Sequence, residues 1–331
     1  MKKVKDIFSE LDRLLEGFGS EPISEAVMVA AMRENEWFRK EDICYAIEAV
    51  RSKMLDEGEV ERWLALYPAL ARRREQKRVA IIMAGNIPLV GLFDLLCVIA
   101  CGHTACVKPS SKETILYAFV EQLLLNIDPS ISIETYDPAE RYDAVIATGG
   151  DSANLYFRTA FEGTPSLLRG SRHSVAVLSG RESQMEQEAL SEDIFRYAGL
   201  GCRNVSLLFV PKGFSPKLRV GDMCQAYRNN YLQCRALLTM QGVAFEDLGE
   251  AVAVRTREAE FPRFLSQINI VEYSSLNEVQ AWLTAHDESL QCVVSGIEGL
   301  HSRQVPFGQA QRPSLTDYAD ERDVMKFLSE L

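Results

Sequence analysis

Apolar residues in the first 75 positions recur at the spacing of an α-helix. Side chains that return every three or four residues share one helical face, which is then buried against a neighbour. The positions are Ile7, Leu11, Leu14, Leu15 and the stretches 23–32 and 42–54. We therefore predict a helical N-terminal region. The charged run 72–78 that follows it is typical of a solvated helix end.

From residue 79 onward, short continuous apolar runs alternate with longer helical segments. The predicted strands cover 79–83, 104–107, 131–135, 142–147, 173–178, 205–210, 251–255, 268–273 and 290–295. The predicted helices cover 89–101, 112–127, 184–198, 216–241, 276–286 and 320–331. Apolar runs of this kind are typical of parallel strands buried on both faces. The alternation predicts a doubly wound α/β fold, in which ligands bind beyond the carboxyl ends of the strands.

Charge and composition exclude several classes of protein. The 331 residues carry a net charge of −11, whereas a general nucleic-acid binder needs a basic face. The longest apolar stretch, 89–107, is interrupted by Gly91, Asp94 and His103, so no membrane span is expected. No apolar signal core follows the basic N-terminus, and we expect a cytoplasmic protein.

Eight cysteines are scattered along the chain without a CxxC pair or a Cys/His ligand spacing. This pattern argues against a structural metal and against a disulfide framework, and favours reduced thiols. Cys97, Cys101 and Cys106 lie inside a predicted helix or strand, where core packing is expected.

Cys202 differs from these cysteines because it lies in a small-residue turn, Gly199-Leu200-Gly201-Cys202, directly before an apolar strand. About 115 residues upstream, the turn Gly85-Asn86-Ile87-Pro88 follows another apolar strand and carries an amide. A thiolate that attacks a carbonyl needs donors in place for the oxyanion that forms. Cys202 is thus a candidate nucleophile and Asn86 a candidate oxyanion donor. The alternatives are a buried packing cysteine and a turn-capping asparagine.

Several motifs in order resemble the aldehyde dehydrogenase superfamily. The segment 79–110 reads strand, Asn-x-Pro turn, helix, strand and Lys-Pro-Ser. The motifs that follow it are Thr148-Gly149-Gly150, Arg169-Gly170-Ser171-Arg172, Gly201-Cys202-Arg203 and Pro306-Phe307-Gly308. Within the superfamily the chain looks most like bacterial acyl-CoA reductases of the bioluminescence type. The resemblance implies an aldehyde dehydrogenase-like fold of two doubly wound α/β domains.

The resemblance also implies a division of the chain. We expect the helical region over 1–78, a Rossmann-like cofactor-binding domain over 79–175 and a catalytic thiol domain over 176–308. The tail 309–331 resembles the assembly segment of the family, which suggests a homo-oligomer. A partner enzyme that transfers acyl groups is a further expectation, and the helical region is one place where it would bind.

The activity implied is reduction of an acyl-CoA, or of another acyl thioester, to an aldehyde. Leu168 stands where hydrolytic relatives carry a glutamate base, so an acyl group on Cys202 would wait for a thiol or a hydride. No clear Glu-x-Phe ribose-binding motif precedes the strand 268–273. The alternatives are reduction of an acyl phosphate, as in the glutamyl-phosphate reductases, and a scaffold that has lost turnover.

The residues implied in cofactor binding are Lys108, Ser110, Ser111, Lys112, Thr148, Gly149 and Gly150. Lys108 and Ser110 follow a strand and would face the adenosine end of a dinucleotide. NAD-preferring relatives carry a glutamate three residues after this lysine, but here Ser111 takes that place and Lys112 follows. Loss of a carboxylate and gain of a cation should accept a 2′-phosphate. We predict that NADPH is used at least as well as NADH.

Overall fold

A computed structural model describes residues 3–71 and 75–331 of the chain. The chain forms two compact units, the first made of 1–171 with 312–331 and the second of 172–311. Part of the charged run 72–78, residues 72–74, lies outside the described residues. The end of that run, Arg78, is the first residue of a strand.

The first unit contains a five-stranded sheet, the helices of the N-terminal region, the helices that connect the strands, and one C-terminal helix. Its helices are α1 (Val4–Leu15), α2 (Pro22–Glu34), α3 (Lys40–Val50), α4 (Glu57–Ala65), α5 (Leu92–Ala100), α6 (Ile115–Ile127), α7 (Asp151–Ala160) and α11 (Val324–Ser329). Its strands are β1 (Arg78–Ile82), β2 (Thr104–Lys108), β3 (Ile133–Thr135), β4 (Ala144–Thr148) and β5 (Ser166–Arg169). A π-helical turn, Arg51–Leu55, follows α3, and 3₁₀ turns cover Pro68–Ala71 and Ala319–Glu321.

The first sheet has the strand order β3-β2-β1-β4-β5, and every pair in it is parallel. The chain winds outward from β1 in both directions, which brings the ends of β1, β2 and β4 side by side. Four or more residues of each of these three strands are buried, as their continuous apolar sequences predict. The carboxyl edge of these central strands therefore carries the candidate cofactor residues.

The N-terminal helices share a core with one face of this sheet. Ile7, Leu11 and Trp63 are almost completely buried in the same cluster as Leu95 of α5 and Ile81 of β1. The C-terminal segment completes that cluster: residues Val324, Met325 and Leu328 of α11 are fully buried in it. The helical N-terminal region and the last residues of the chain are thus integral parts of the first unit.

The second unit contains a seven-stranded sheet and three longer helices. Its helices are α8 (Gln184–Phe195), α9 (Gln225–Met240) and α10 (Leu276–Ala285), with 3₁₀ turns at Arg196–Gly199 and Asp287–Ser289. Its strands are β6 (His173–Val177), β7 (Val205–Pro211), β8 (Glu246–Asp247), β9 (Val252–Thr256), β10 (Gln267–Tyr273), β11 (Leu290–Val294) and β12 (Gln304–Val305). The order is β12-β11-β6-β7-β10-β9-β8, parallel except for the β8–β9 pair.

The predicted α/β fold with a helical N-terminal region is confirmed. Several predicted helix boundaries differ by a few residues, and the largest error is that of α9, which begins at Gln225 rather than at residue 216. Pro216 and Gly221 lie in the segment that the helix leaves out, and both residue types disfavour a helix interior. Helix α7 and strand β5 form where no element was predicted.

Candidate active site

The carboxyl edge of the first sheet brings together the residues expected to hold a dinucleotide. Asn86 lies in the turn after β1, Lys108 is the last residue of β2 and Thr148 is the last residue of β4. Since β2, β1 and β4 are neighbours in the sheet, these three positions lie along one edge. This edge is the place where open α/β sheets bind their ligands.

Gly85 allows the Asn86 turn to pack directly against the segment after β2. A Cβ atom at Gly85 would clash with the side chain of Ser110 and would approach Glu113 Cβ to 3.1 Å. The structure therefore places Ser110 against the candidate oxyanion turn, and any side chain at position 85 would separate the two.

The turn after β4 leaves its backbone open at a helix start. A Cβ at Gly149 would lie 2.8 Å from Ala153 Cβ, so the turn is tight there. A Cβ at Gly150 would meet only Ser171 Oγ, at 4.0 Å, and α7 begins at the next residue. The first backbone N–H groups of a helix have no partner within the helix and suit the phosphates of a dinucleotide, so the predicted residues fit such a group.

Of the four positions expected to meet the adenosine end and its 2′-phosphate, three are exposed and Ser110 is half-buried. Lys108, Ser111 and Lys112 all lie at the surface, and the backbone N–H of Lys112 donates to Ser110 Oγ at 3.2 Å. Two lysines beside hydroxyl groups, with Ser111 in place of a carboxylate, form a local cationic surface on an acidic protein. Such a surface suits a phosphate group.

Cys202 lies in the second unit, three residues before β7 begins. It is therefore at the amino end of that strand, whereas the candidate cofactor residues are at carboxyl ends. It is the exposed member of the eight cysteines; the others are buried or half-buried. Ser174, at the start of β6, donates from Oγ to the Cys202 carbonyl at 2.8 Å and accepts from Cys292 N at 3.2 Å. Strand β6 thus fixes the main chain of the candidate nucleophile.

Asn204 holds the Cys202 turn from its other side. Its Oδ1 accepts from Gly201 N at 2.8 Å, and its backbone N–H donates to Gly201 O at 3.0 Å. Its Nδ2 lies 2.8 to 3.2 Å from the carbonyl oxygens of Asp193, Ile194 and Arg196. One side chain therefore satisfies carbonyls at the end of α8 and closes the turn that presents the thiol.

The backbone before this turn is left-handed over three consecutive residues. Tyr197, Ala198 and Gly199 have φ values of 56°, 53° and 70°. Only glycine adopts this region freely, and each of the others costs about 1 kcal/mol or more. Burial of Tyr197 and Ala198 and the carbonyl contacts of Asn204 hold them there. This left-handed stretch turns the chain from the end of α8 back toward β7, with Cys202 at the tip of the turn.

Asp193 connects α8 to the Pro306-Phe307-Gly308 segment. Its carboxylate accepts from Gly308 N at 2.6 Å and from Ala310 N at 3.0 Å. The residue is 1% exposed, and this burial raises the pKa of the carboxyl to about 7 despite the two backbone donors. The last motif of the predicted set is thus anchored to the helix that also carries the Cys202 turn.

Burial makes several of the other cysteines poor nucleophiles. It raises the pKa of Cys292 and of Cys106 to about 11, and it raises the pKa of Cys97 well above its ordinary value. A thiol that stays protonated is a poor nucleophile. Asn86 belongs to the first unit and Cys202 to the second.

Three residues with a defined place around these turns were absent from the predicted set: Glu113, Asp193 and Asn204. Each is polar and 5% exposed or less. Glu113 and Asp193 bond to backbone groups distant in sequence, whereas the partners of Asn204 are 3 to 11 residues away. The one signal in the sequence is the position of Asn204, two residues after the cysteine. Within 3–71 and 75–331 no group of acidic, histidine or cysteine side chains is arranged to hold a metal, and no helix is long and apolar enough to span a membrane.

Comparison with solved structures defines the fold. Aldehyde dehydrogenase 21 from Physcomitrella patens matches with a TM-score of 0.71 at 12% identity, over 99% of this chain and 83% of that one. The Mycobacterium tuberculosis Δ-pyrroline-5-carboxylate dehydrogenase has a TM-score of 0.62 at 15% identity, over 92% and 70%. It is also matched in an NAD-bound form. KauB from Pseudomonas aeruginosa has a TM-score of 0.63 at 14% identity, over 90% and 72%.

The chain therefore has the fold of the aldehyde dehydrogenases, as its ordered motifs predicted. No curated protein sequence gives a significant match. A family model described as acyl-CoA reductase (LuxC) matches residues 21–260, which is most of the chain. The protein belongs to this acyl-CoA reductase family, a class of oxidoreductases that form aldehydes.

Proposed function

We propose that this protein reduces an acyl-CoA thioester to an aldehyde through an acyl group carried on Cys202. The observation that carries the proposal is the single exposed cysteine, held in a turn by Asn204 and Ser174, in a member of the acyl-CoA reductase family. Thiol transfer needs an accessible sulfur on a fixed backbone, and no other cysteine of the chain combines the two.

The reaction divides into two steps at the thiol. Cys202, as thiolate, attacks the thioester carbonyl; the C–S bond to coenzyme A breaks, and the coenzyme A thiolate leaves. The acyl carbon then accepts a hydride, the C–S bond to Cys202 breaks, and an aldehyde and the free thiolate result. Leu168 gives no base for activating water, which supports reduction over hydrolysis of the acyl group.

Asn86 is assigned to the oxyanion that forms in each step. Its side-chain amide and the Cys202 backbone N–H are the proposed donors. One donor of this kind is worth about 3–4 kcal/mol of the activation barrier. The fixed turn around Asn86, packed on Ser110 through Gly85, supports this role because a donor must be in place before charge develops.

NADPH is the proposed hydride source, held at the carboxyl edge of the first sheet. When bound, the nicotinamide supplies the hydride. Thr148, Gly149 and Gly150 would meet its phosphates, and Lys108 and Ser110 the adenosine ribose. The exposed pair Ser111 and Lys112 would accept the 2′-phosphate, which supports NADPH over NADH.

The test of the reaction is single-turnover NADPH oxidation with acyl-CoA thioesters of varied chain length. Oxidation that releases aldehyde, persists in Cys224→Ala and disappears in Cys202→Ala is the expected result. Full oxidation in Cys202→Ala would overturn the thiol assignment. Turnover with acyl phosphates alone would identify an acyl-phosphate reductase, and protein that binds no dinucleotide would be a scaffold.

The cofactor assignment is tested by Ser111→Glu. A carboxylate at this position should repel the 2′-phosphate and bind the ribose hydroxyls, which should shift the ratio of kcat/KM toward NADH by about tenfold or more. Ser111→Ala, which adds no charge, should keep the original ratio. An unchanged ratio in Ser111→Glu would place the 2′-phosphate elsewhere.

A further inference from the structure

Helix α2 of the N-terminal region ends against the turn that carries Asn86. Asn35, the residue after α2, is 4% exposed and donates from Nδ2 to Gly85 O at 3.2 Å. Its Oδ1 accepts from Trp37 N at 3.1 Å, which fixes the orientation of the amide. A residue fifty positions upstream therefore holds the carbonyl directly before Asn86.

Glu113 holds the other end of the same turn. It is 5% exposed, and its Oε1 accepts a hydrogen bond from Leu89 N. Leu89 has φ of +57°, a left-handed conformation that a leucine adopts only when its surroundings impose it. Through its bond to Leu89 N, Glu113 holds the backbone in this conformation three residues beyond Asn86.

Glu34, the last residue of α2, fixes the position of Glu113 in turn. Its carboxylate accepts from Thr114 N at 2.9 Å, from Ile115 N at 3.1 Å and from the Thr114 hydroxyl. These groups begin α6, so α2 supplies the N-terminal cap of a helix eighty residues away. We call Glu34, Asn35 and Glu113 the turn clamp.

We infer that Glu113 is a positioning residue for Asn86, and that the N-terminal region serves the reaction by holding Glu113 and the turn through the clamp. The inference rests on the proposed role of Asn86. Glu113 acts through the backbone: its bond to Leu89 N and the Asn35 bond to Gly85 O fix the two ends of a turn whose middle carries the amide. A displacement of about 1 Å at such a donor is enough to slow acylation strongly.

The test measures the rate at which acyl-CoA acylates Cys202, by rapid mixing, in the full chain. Glu113→Asp keeps the carboxyl group but shortens the side chain, so it should lose the bond to Leu89 N. We expect a slower rate by on the order of 10- to 100-fold, with KM changed less than about threefold. Glu113→Gln keeps an acceptor at the same reach and should stay within about threefold of the original rate.

The double variant Glu113→Asp/Asn86→Ala separates positioning from general damage. If Glu113 acts only through Asn86, the double variant should be as slow as Asn86→Ala alone. Alkylation of Cys202 by iodoacetamide, which needs no oxyanion donor, should keep its rate in each variant. Asn35→Ala should reproduce the loss and serves if Glu113→Asp does not fold.

The outcomes distinguish the inference from the proposed function. If Asn86→Ala slows acylation while Glu113→Asp and Asn35→Ala acylate at the full rate, only the positioning role is overturned. If Glu113→Asp slows acylation by the same factor in the original protein and in Asn86→Ala, the positioning role is also overturned. Asn86→Ala at full rate would overturn the oxyanion assignment and the inference with it, while the acylation of Cys202 would still stand.

Discussion

At the scale of single residues, the groups that hold the two turns are more informative than the candidate catalytic residues themselves. Cys202 and Asn86 are visible in the sequence because each lies in a glycine turn after or before an apolar strand. Glu113 and Asp193 are not, because their partners are backbone groups 24 and 115 residues away in the chain. A short sequence motif does not record contacts at such separations. Asn204 bonds to Gly201, three residues away, so its place beside Cys202 is the one signal that the sequence carries.

Asp193 gives a prediction about pH and stability. Burial raises the pKa of its carboxyl from 3.8 to about 7 in the folded protein. Between about pH 4 and pH 7 the folded protein therefore holds a proton that the unfolded chain has released. The contribution of Asp193 to the free energy of unfolding should therefore fall as pH rises through this window, by at most about 4 kcal/mol. Glu113, whose pKa burial raises to about 8, should add a decline of the same sign.

Denaturant unfolding at pH 5, 6, 7 and 8 measures this slope. Asp193→Asn has no proton to lose and should show a shallower decline, whatever its absolute stability. Glu258→Gln, at an exposed position, should keep the slope of the original protein. A decline unchanged in Asp193→Asn would show that the carboxyl is already ionised in the folded state over this range.

At the scale of helices and strands, the two elements that the hydrophobic pattern does not predict, α7 and β5, have an unusual distribution of apolar residues. Helix α7 was missed because its apolar residues do not follow one buried face: Leu155 and Tyr156 are 71% and 66% exposed, while Asn154 is buried beside Phe157. Strand β5 is short and contains the buried Arg169. Continuous apolar strands such as β1 and β4 were predicted correctly, since burial on both faces leaves no room for polar residues.

The buried ion pair between β5 and α5 gives a prediction at this scale. Arg169 Nη1 lies 2.7 Å from Asp94 Oδ2, and both residues are at most 6% exposed. Among the described residues, Asp94 Oδ1 and Arg169 Nε and Nη2 have no hydrogen-bond partner. The hydrogen-bonding groups of the pair are thus only partly satisfied, so each buried charge depends on the other for its stabilisation.

Asp94→Leu should lower the free energy of unfolding by about 3–5 kcal/mol, because it leaves a buried guanidinium unpaired. Asp94→Leu/Arg169→Met should recover most of the loss, since no charge then remains to be desolvated. Denaturant titration measures both variants. A double variant as unstable as the single one would contradict this account. Glu61→Gln, which breaks an exposed pair with Lys5, is the control and should change stability little.

At the scale of the whole molecule, the last twenty residues belong to the unit that the first 171 begin. Tyr318 accepts from Trp63 Nε1 at 2.8 Å, and His103 Nε2 lies 3.0 Å from the Leu328 carbonyl oxygen. Together with the buried face of α11, these contacts give the C-terminal segment a structural role in the first unit. Its predicted role in oligomerisation stays a prediction.

Truncation after Gln311 should therefore destabilise the first unit by about 5 kcal/mol or more, since it uncovers the apolar surface that three fully buried side chains of α11 cover. Fluorescence of Trp63 should report the change, with a lower denaturation midpoint. Tyr318→Phe, which removes only hydroxyl bonds, should cost about 1–2 kcal/mol. A truncated protein with the original midpoint would contradict the assignment.

The order of synthesis gives the C-terminal contacts a further consequence. The ribosome releases the strands of the first unit well before α11 exists, and at the usual rate of translation the remaining 160 residues take roughly 10 to 30 seconds. Throughout that time the nascent chain exposes the apolar surface that Val324, Met325 and Leu328 later cover. The second unit has all of its residues earlier, so the half of the protein that begins first is finished last. Completion of the first unit therefore depends on the last helix to leave the ribosome, and the surface that this helix covers is where the unfinished chain is most prone to aggregate.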